Sequence, residues 1–178
     1  AEGDDDETDD LKLPSGKYEI PLVLQDRRVD YSGTIIPYTV PDTMEGLIGN
    51  ESFGNGINRP ELKVDTAIYR FRILNGSNAR IFRLARNDNK QLLIIGNDTG
   101  LLEKTMPVEY VDIAPGERID MLIDLRDASV GDEVLLGSRG FFVSQGLAKF
   151  DDLNRQGHPM DLMRLHVTTK VRDRTKLP

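Results

Sequence analysis

His158 and His166 are the only imidazoles in 178 residues, and the chain has no cysteine. No thiolate is available as a nucleophile, and no disulfide, iron–sulfur cluster, Cys-ligated zinc or blue copper can form from these residues. The histidines match no helical metal pair, and no HxH or HExxH motif occurs. His158 precedes Pro159 in a loop, and His166 falls on the polar face of an extended run. Each reads as a structural or surface histidine. Carboxylate pairs are plentiful: Asp4 with Asp6, Asp151 with Asp152, Asp120 with Asp124. A glycosidase holds two carboxyls about 5–10 Å apart across a cleft, whereas acids on a strand's outer face ordinarily meet water. A Ser-His-Asp set can be assembled on paper from any such chain and has no specificity here. Gly54-Asn55-Gly56 lacks the third glycine and the following helix of a phosphate-cradling loop. Asn50, Asn75 and Asn97 head N-x-S/T triplets, but Asn75 and Asn97 are better explained as turn residues. The catalytic, cofactor-binding and metal-ligating sets of this chain are expected to be empty.

Charge narrows the partners. The net charge of −7 comes from the first ten residues, where Glu2, Asp4, Asp5, Asp6, Glu7, Asp9 and Asp10 meet no base. Without them, 23 acidic residues face 23 basic ones. A neutral body without a Lys/Arg stripe argues against nucleic acid and against an anionic membrane surface. No apolar run approaches the roughly 20 residues that span a bilayer, and the acidic start is unlike a signal peptide. Residues 1–12 read as an acidic leader or interdomain linker, 13–170 as one domain and 171–178 as a C-terminal linker.

The elements that must position these residues are short strands. Residues 18–24 are apolar and partly β-branched, with Pro21 marking an edge or the start of a pairing. Asp30 to Gly33 reads as a turn and 37–50 as an irregular loop. In 67–74, Tyr69, Phe71 and Ile73 alternate with Arg70 and Arg72 at the period of a half-buried strand. Asn75 to Asn78 then supplies a turn, so 67–84 reads as a hairpin. Further strands are expected at 91–95, 108–113, 118–125, 133–136 and 162–168, with a strong turn at Ala114-Pro115-Gly116-Glu117. Only a turn near 147–154 has any helical period. Many short strands with regular turns predict an all-β sandwich or closed barrel. The least regular segment, 138–158, carries Phe141, Phe142 and Phe150. A long loop with adjacent aromatics often meets a ligand or another domain, although the rings could equally cap one end of the sandwich.

The residues also resemble a family. Tyr69-Arg70-Phe71-Arg72-Ile73-Leu74-Asn75-Gly76-Ser77-Asn78-Ala79-Arg80 resembles the YRFRxxNxSNxR signature in the middle cupredoxin domain of multicopper oxidases. Ile20-Pro21-Leu22 with Gln25-Asp26-Arg27 resembles its PLxxxDR strand, and Asn55-Gly56 with Pro60 its NGxxxP turn. Ile95 to Leu102 resembles IGxDGGLL and Ala114 to Asp120 resembles APGERYD, with Thr99 and Ile119 as departures. The match spans about residues 11–170, and the spore-coat laccases and bilirubin oxidases are the most similar members.

The resemblance implies a cupredoxin-like Greek-key sandwich, the second of three such domains. In that family HxH motifs and an HCHxxxH motif of the first and last domains bind the coppers, and those motifs are absent here. No cofactor is then expected in this chain, with copper in the parent enzyme and the flanking cupredoxin domains as partners. Arg70, Arg72, Asn75, Arg80, Asp98 and Arg118 take structural roles: Arg70, Arg72 and Arg80 outward on a hairpin, Asn75 and Gly76 in a turn of positive φ, Asp98 capping a turn. The loop with Phe141, Phe142 and Phe150 would border the parent's substrate pocket or a neighbouring domain. Isolated, such a domain would expose surfaces prone to self-association. A stand-alone β-sandwich module that binds carbohydrate or protein is the alternative, and a carboxylate enzyme a third reading.

Overall fold

A computed structural model describes residues 12–40, 42–142 and 155–177. After a single 3₁₀ turn at Gly16–Tyr18 the chain forms β1 (Glu19–Arg27), a one-turn helix α1 (Asp42–Glu45), β2 (Glu51–Gly54), β3 (Ile57–Asn58) and β4 (Glu61–Asp65). Then come β5 (Ile68–Asn75), β6 (Phe82–Arg86), β7 (Leu92–Asn97) and β8 (Gly100–Val108). The remainder is β9 (Val111–Ile113), β10 (Arg118–Asp124), β11 (Glu133–Ser138) and β12 (Met160–Thr169). The strands build a seven-stranded sheet, in the order β3-β2-β1-β5-β10-β7-β8, and a five-stranded sheet, β4-β12-β11-β6-β9. Both are mixed, since β1 runs parallel to β5 and β12 parallel to β4. This is the cupredoxin-like β-sandwich that the family resemblance implies.

Alternation explains the core. Tyr69, Phe71 and Ile73 of β5 and Ile119, Met121 and Ile123 of β10 turn inward from one sheet. Phe82, Leu84, Leu136, Leu165 and Val167 meet them from the other. Each such side chain contributes about 1.5–3 kcal/mol on leaving water. In β12 a bulge opposite Leu136 and Gly137 lets the adjacent Leu162 and Met163 both face inward. The outer face of the larger sheet carries a second, smaller apolar cluster of Leu13, Ile68, Ile95 and Leu122.

The local turns form as their chemistry requires. Asn55 and Gly56 have φ of 49° and 80°, as in the type I′ turn that joins a two-residue hairpin. The Asn55 side chain also bonds Val23 N and Pro21 O, extending the sheet beside Pro21, where β2 has ended. Glu117 N donates to Ala114 O around Gly116, whose φ of 84° only glycine adopts freely.

Three expectations fail, all for non-local reasons. β5 and β6 do not form a hairpin: one lies in each sheet, and residues 76–81 cross between them. Asn75 drives the crossing, because its Nδ2 donates to Arg80 O and Ile113 O while its Oδ1 accepts from Ser77 N, all buried. Neither Asn75 nor Gly76 has positive φ. Gly76 is small because Val23 and Gln25 crowd it, at 3.0 and 3.2 Å from where a Cβ would stand. The apolar run 108–113 is two strands, with β8 in the larger sheet and β9 in the smaller. The turn expected near 147–154 lies outside the described residues.

Candidate functional site

The two ends of the sandwich differ. At the end where β1 begins, Asp65 accepts from Lys17 Nζ at 2.7 Å and Tyr18 OH at 3.0 Å. The side-chain bond from Lys17 lowers the Asp65 pKa, and burial opposes it. On the neighbouring residue, Thr66 N donates to Thr169 O at the end of β12. The start of β1 and the end of β12 therefore lie close together. Beyond β12, residues 171–177 run along the body: Thr66 bonds Val171, Asp173 accepts from Ile68 N, and Arg126 holds Thr175 O.

The opposite end is organised by a buried ion pair. Arg80 and Asp26 side chains are 1% and 0% exposed. Arg80 Nε donates to Asp26 Oδ2 at 2.9 Å, Nη2 to Gly49 O at 2.6 Å and Nη1 to Arg155 O at 3.0 Å. Burial pushes the Arg80 pKa down, and the charge of Asp26 opposes this. Asp26 Oδ2 also accepts from Gly49 N, whereas Oδ1 meets no donor among the described residues. Gln156 completes the junction, accepting from Ile81 N and donating to Ala79 O. One guanidinium thus ties β1, the loop before β2 and the stem of the 139–158 loop. The expectation that Arg80 points outward is corrected, because the crossing between sheets turns it into the interior.

Above this junction Phe141, Phe142, Gln156, Gly157 and His158 line a cavity of about 320 Å³. Arg83 stands beside it, its guanidinium carbon 4.5 Å from the Tyr110 ring centre and 4.7 Å from that of Phe141. Asp112 holds the same guanidinium through two bonds of 2.8 Å. Phe142 is 68% exposed, and Phe150 lies outside the described residues.

The remaining motif residues are dispersed. Arg70 is buried on the outer face of the larger sheet against Asp120, at 2.6 Å, so Asp120 is a partner and not merely a solvated acid. Arg72 is exposed and pairs with Glu19 at 2.8 Å. Arg118 pairs with Asp98 at 2.9 Å. Asp98 also accepts from Arg118 N, whereas Asn97 caps the intervening turn through Thr99 N, which corrects the capping role expected of Asp98. Asn75 bonds Arg80 O, Asp98 pairs with Arg118, and Arg70 and Arg72 both reach Glu19. The missed contributors, Asp26, Gly49 and Gln156, carry no local signal of burial, and only Asp26 fell within a matched motif.

Blue copper does not fit this chain's residues, because it needs a thiolate that the sequence lacks. His166 Nδ1 stands 3.0 Å from Glu133 and Nε2 stands 3.3 Å from Glu61, and Nε2 makes no hydrogen bond among the described residues. Among the described residues no group of three His, Cys, Asp or Glu side chains could hold a metal ion. No helix there is long and apolar enough to cross a membrane.

No protein-family model matches the chain. Cell division protein FtsP of Proteus mirabilis (strain HI4320) is 35% identical over 163 residues, which is 90% of this chain and 33% of that protein. The laccase of Bacillus subtilis (strain 168) is 32% identical over 138 residues, 72% of this chain and 27% of that protein. The crystal structure of the McoA multicopper oxidase from the hyperthermophile Aquifex aeolicus superposes with a TM-score of 0.80 at 34% identity, covering 96% of this chain and 36% of that one. The chain thus spans about a third of the length of these relatives. Five motifs in family order, a two-sheet sandwich of matching topology and these likenesses place the chain in the multicopper oxidase family, as a laccase-like cupredoxin domain.

Proposed function

We propose that this chain is the middle domain of a longer oxidase, a copper-free scaffold between two copper-bearing domains. The observation that carries this reading is the superposition on 36% of the McoA multicopper oxidase, at a TM-score of 0.80 and 34% identity. The parent polypeptide would take single electrons from phenolic, tetrapyrrole or metal-ion substrates and reduce O₂ to water, with all copper bound outside these residues. Residues 1–12 and 171–178 then serve as connections to the flanking domains, and Arg70, Arg72, Asn75, Arg80, Asp98 and Arg118 as structural residues. Phe141 and Phe142, with Phe150, border the parent's substrate pocket or a neighbouring domain.

The test begins with the native polypeptide, detected in its source cell by an antibody to this domain. A product much longer than these residues, carrying copper and consuming O₂ with a phenolic donor, supports the scaffold. Deleting 141–150 in it should alter substrate preference while leaving the copper spectrum intact. A native product no longer than this chain would leave a stand-alone binding module on a cupredoxin frame.

A second reading is favoured by the FtsP match, which covers 90% of the chain. Under it the parent acts in cell division. A full-length protein whose loss disturbs division would select that reading.

A further inference from the structure

A second cavity lies away from the junction, on the outer face of the smaller sheet. It encloses about 550 Å³, within the range of small-molecule sites. Its floor is β6 and β11, at Ala85, Leu135 and Gly137, and one wall is the start of β12, at Met160 and Asp161. Gly137 keeps the floor low, since a Cβ there would stand 3.2 Å from Met160 O. At the rim are Arg139 and the amides of Asn87 and Asn89.

Arg139 is the informative residue. Six other arginines meet a carboxylate, Arg28 with Asp42, Arg70 with Asp120, Arg80 with Asp26, Arg83 with Asp112, Arg86 with Asp88 and Arg126 with Asp124, whereas the partly buried Arg27 reaches the amide oxygen of Gln25. Arg139 is half-buried, and its one side-chain hydrogen bond runs to Arg86 O at 3.4 Å, the long limit of such a bond. It forms no ion pair with a described residue. Its backbone is fixed, with Arg139 N donating to Arg83 O at 2.8 Å. Arg86 is held by Asp88 and by Asp124 O, and Asp161 at the cavity wall lies 4.0 Å from Arg164, the outer limit of an ion pair. A guanidinium fork with no carboxylate, beside Leu135, Met160 and Pro159, has the makings of a site for an acid with an apolar body.

We propose that this groove binds a small organic monocarboxylate, with the carboxylate on Arg139 and its apolar body over Leu135, Gly137 and Met160. The site is independent of any copper chemistry. The test uses benzoate as the probe and the natural full-length protein, read by saturation-transfer NMR of the probe. Wild-type protein should give a saturable signal, R139Q should weaken binding about tenfold, the scale of one charge-assisted bond, and R139K should retain part of it. Benzyl alcohol, which has the ring without the charge, should bind far more weakly than benzoate. Benzoate binding that R139Q leaves unchanged, or no saturable signal on wild type, overturns the proposal.

Discussion

Substituting Arg80 by Met tests whether one buried guanidinium holds the far end of the domain together. The side chain is 1% exposed and Met fills most of its volume, so the loss is electrostatic and not a cavity. Three acceptors lose their donor: Asp26 Oδ2, Gly49 O and Arg155 O. Asp26 keeps only the bond from Gly49 N to Oδ2, and its Oδ1 already meets no donor among the described residues. Leaving a buried charge uncompensated costs about 3–5 kcal/mol, which for a domain of this size lowers Tm by about 6–20 °C. Replacing both partners, as Asp26→Leu with Arg80→Met, removes the lone charge and should cost less than the single change, although Gly49 and Arg155 still lack partners. Urea denaturation followed by circular dichroism gives both values. A single change costing under about 1 kcal/mol, or a double variant at least as unstable as the single one, would refute the argument that desolvated charge governs this junction.

The other predictions concern turns, the crossing and acid. Asn75→Ala strips Arg80 O, Ile113 O and Ser77 N of buried partners and should cost about 2–4 kcal/mol by the same denaturation assay. Gly49→Ala should prevent folding, since its Cβ would lie 2.3 Å from the Arg27 carbonyl carbon. Gly56→Ala, with open space but φ of 80°, should cost only about 1 kcal/mol. The Asp42 pKa is lowered by Arg28 and Thr39, and that of Asp65 by Lys17. For Asp173, burial is outweighed by bonds from Thr175 and Ile68 N, and its pKa is also lowered. Carboxylates lowered by folding contribute stability that is present above their ordinary value of 3.8 and lost as pH falls through the folded values. Unfolding followed from pH 5 to pH 2 should therefore show the midpoint falling mainly below pH 4, and Asp173→Asn should flatten part of that fall.

What the sequence determined by itself was everything carried by neighbours along the chain. Tyr69, Phe71 and Ile73 alternate with two arginines, and that alone sets a strand whose inner face is the observed one, although Ile68 and Arg70 on its other face are buried as well. Asn55-Gly56 and Ala114-Pro115-Gly116 are turns because of the φ their residues tolerate, whatever surrounds them. The total lack of cysteine excludes a blue copper built from these residues alone. Only the tertiary structure decided which sheet each strand joins, because an alternating strand pairs equally well with several partners until registers compete. The hairpin expected at 67–84 became a crossing for that reason: Asn75 finds Ile113 O, 38 residues away, and no local rule encodes that meeting. Arg80 shows the same limit more sharply. Beside a turn, an arginine reads as solvent-facing, yet Asp26, 54 residues earlier, supplies the opposite charge that lets it be buried.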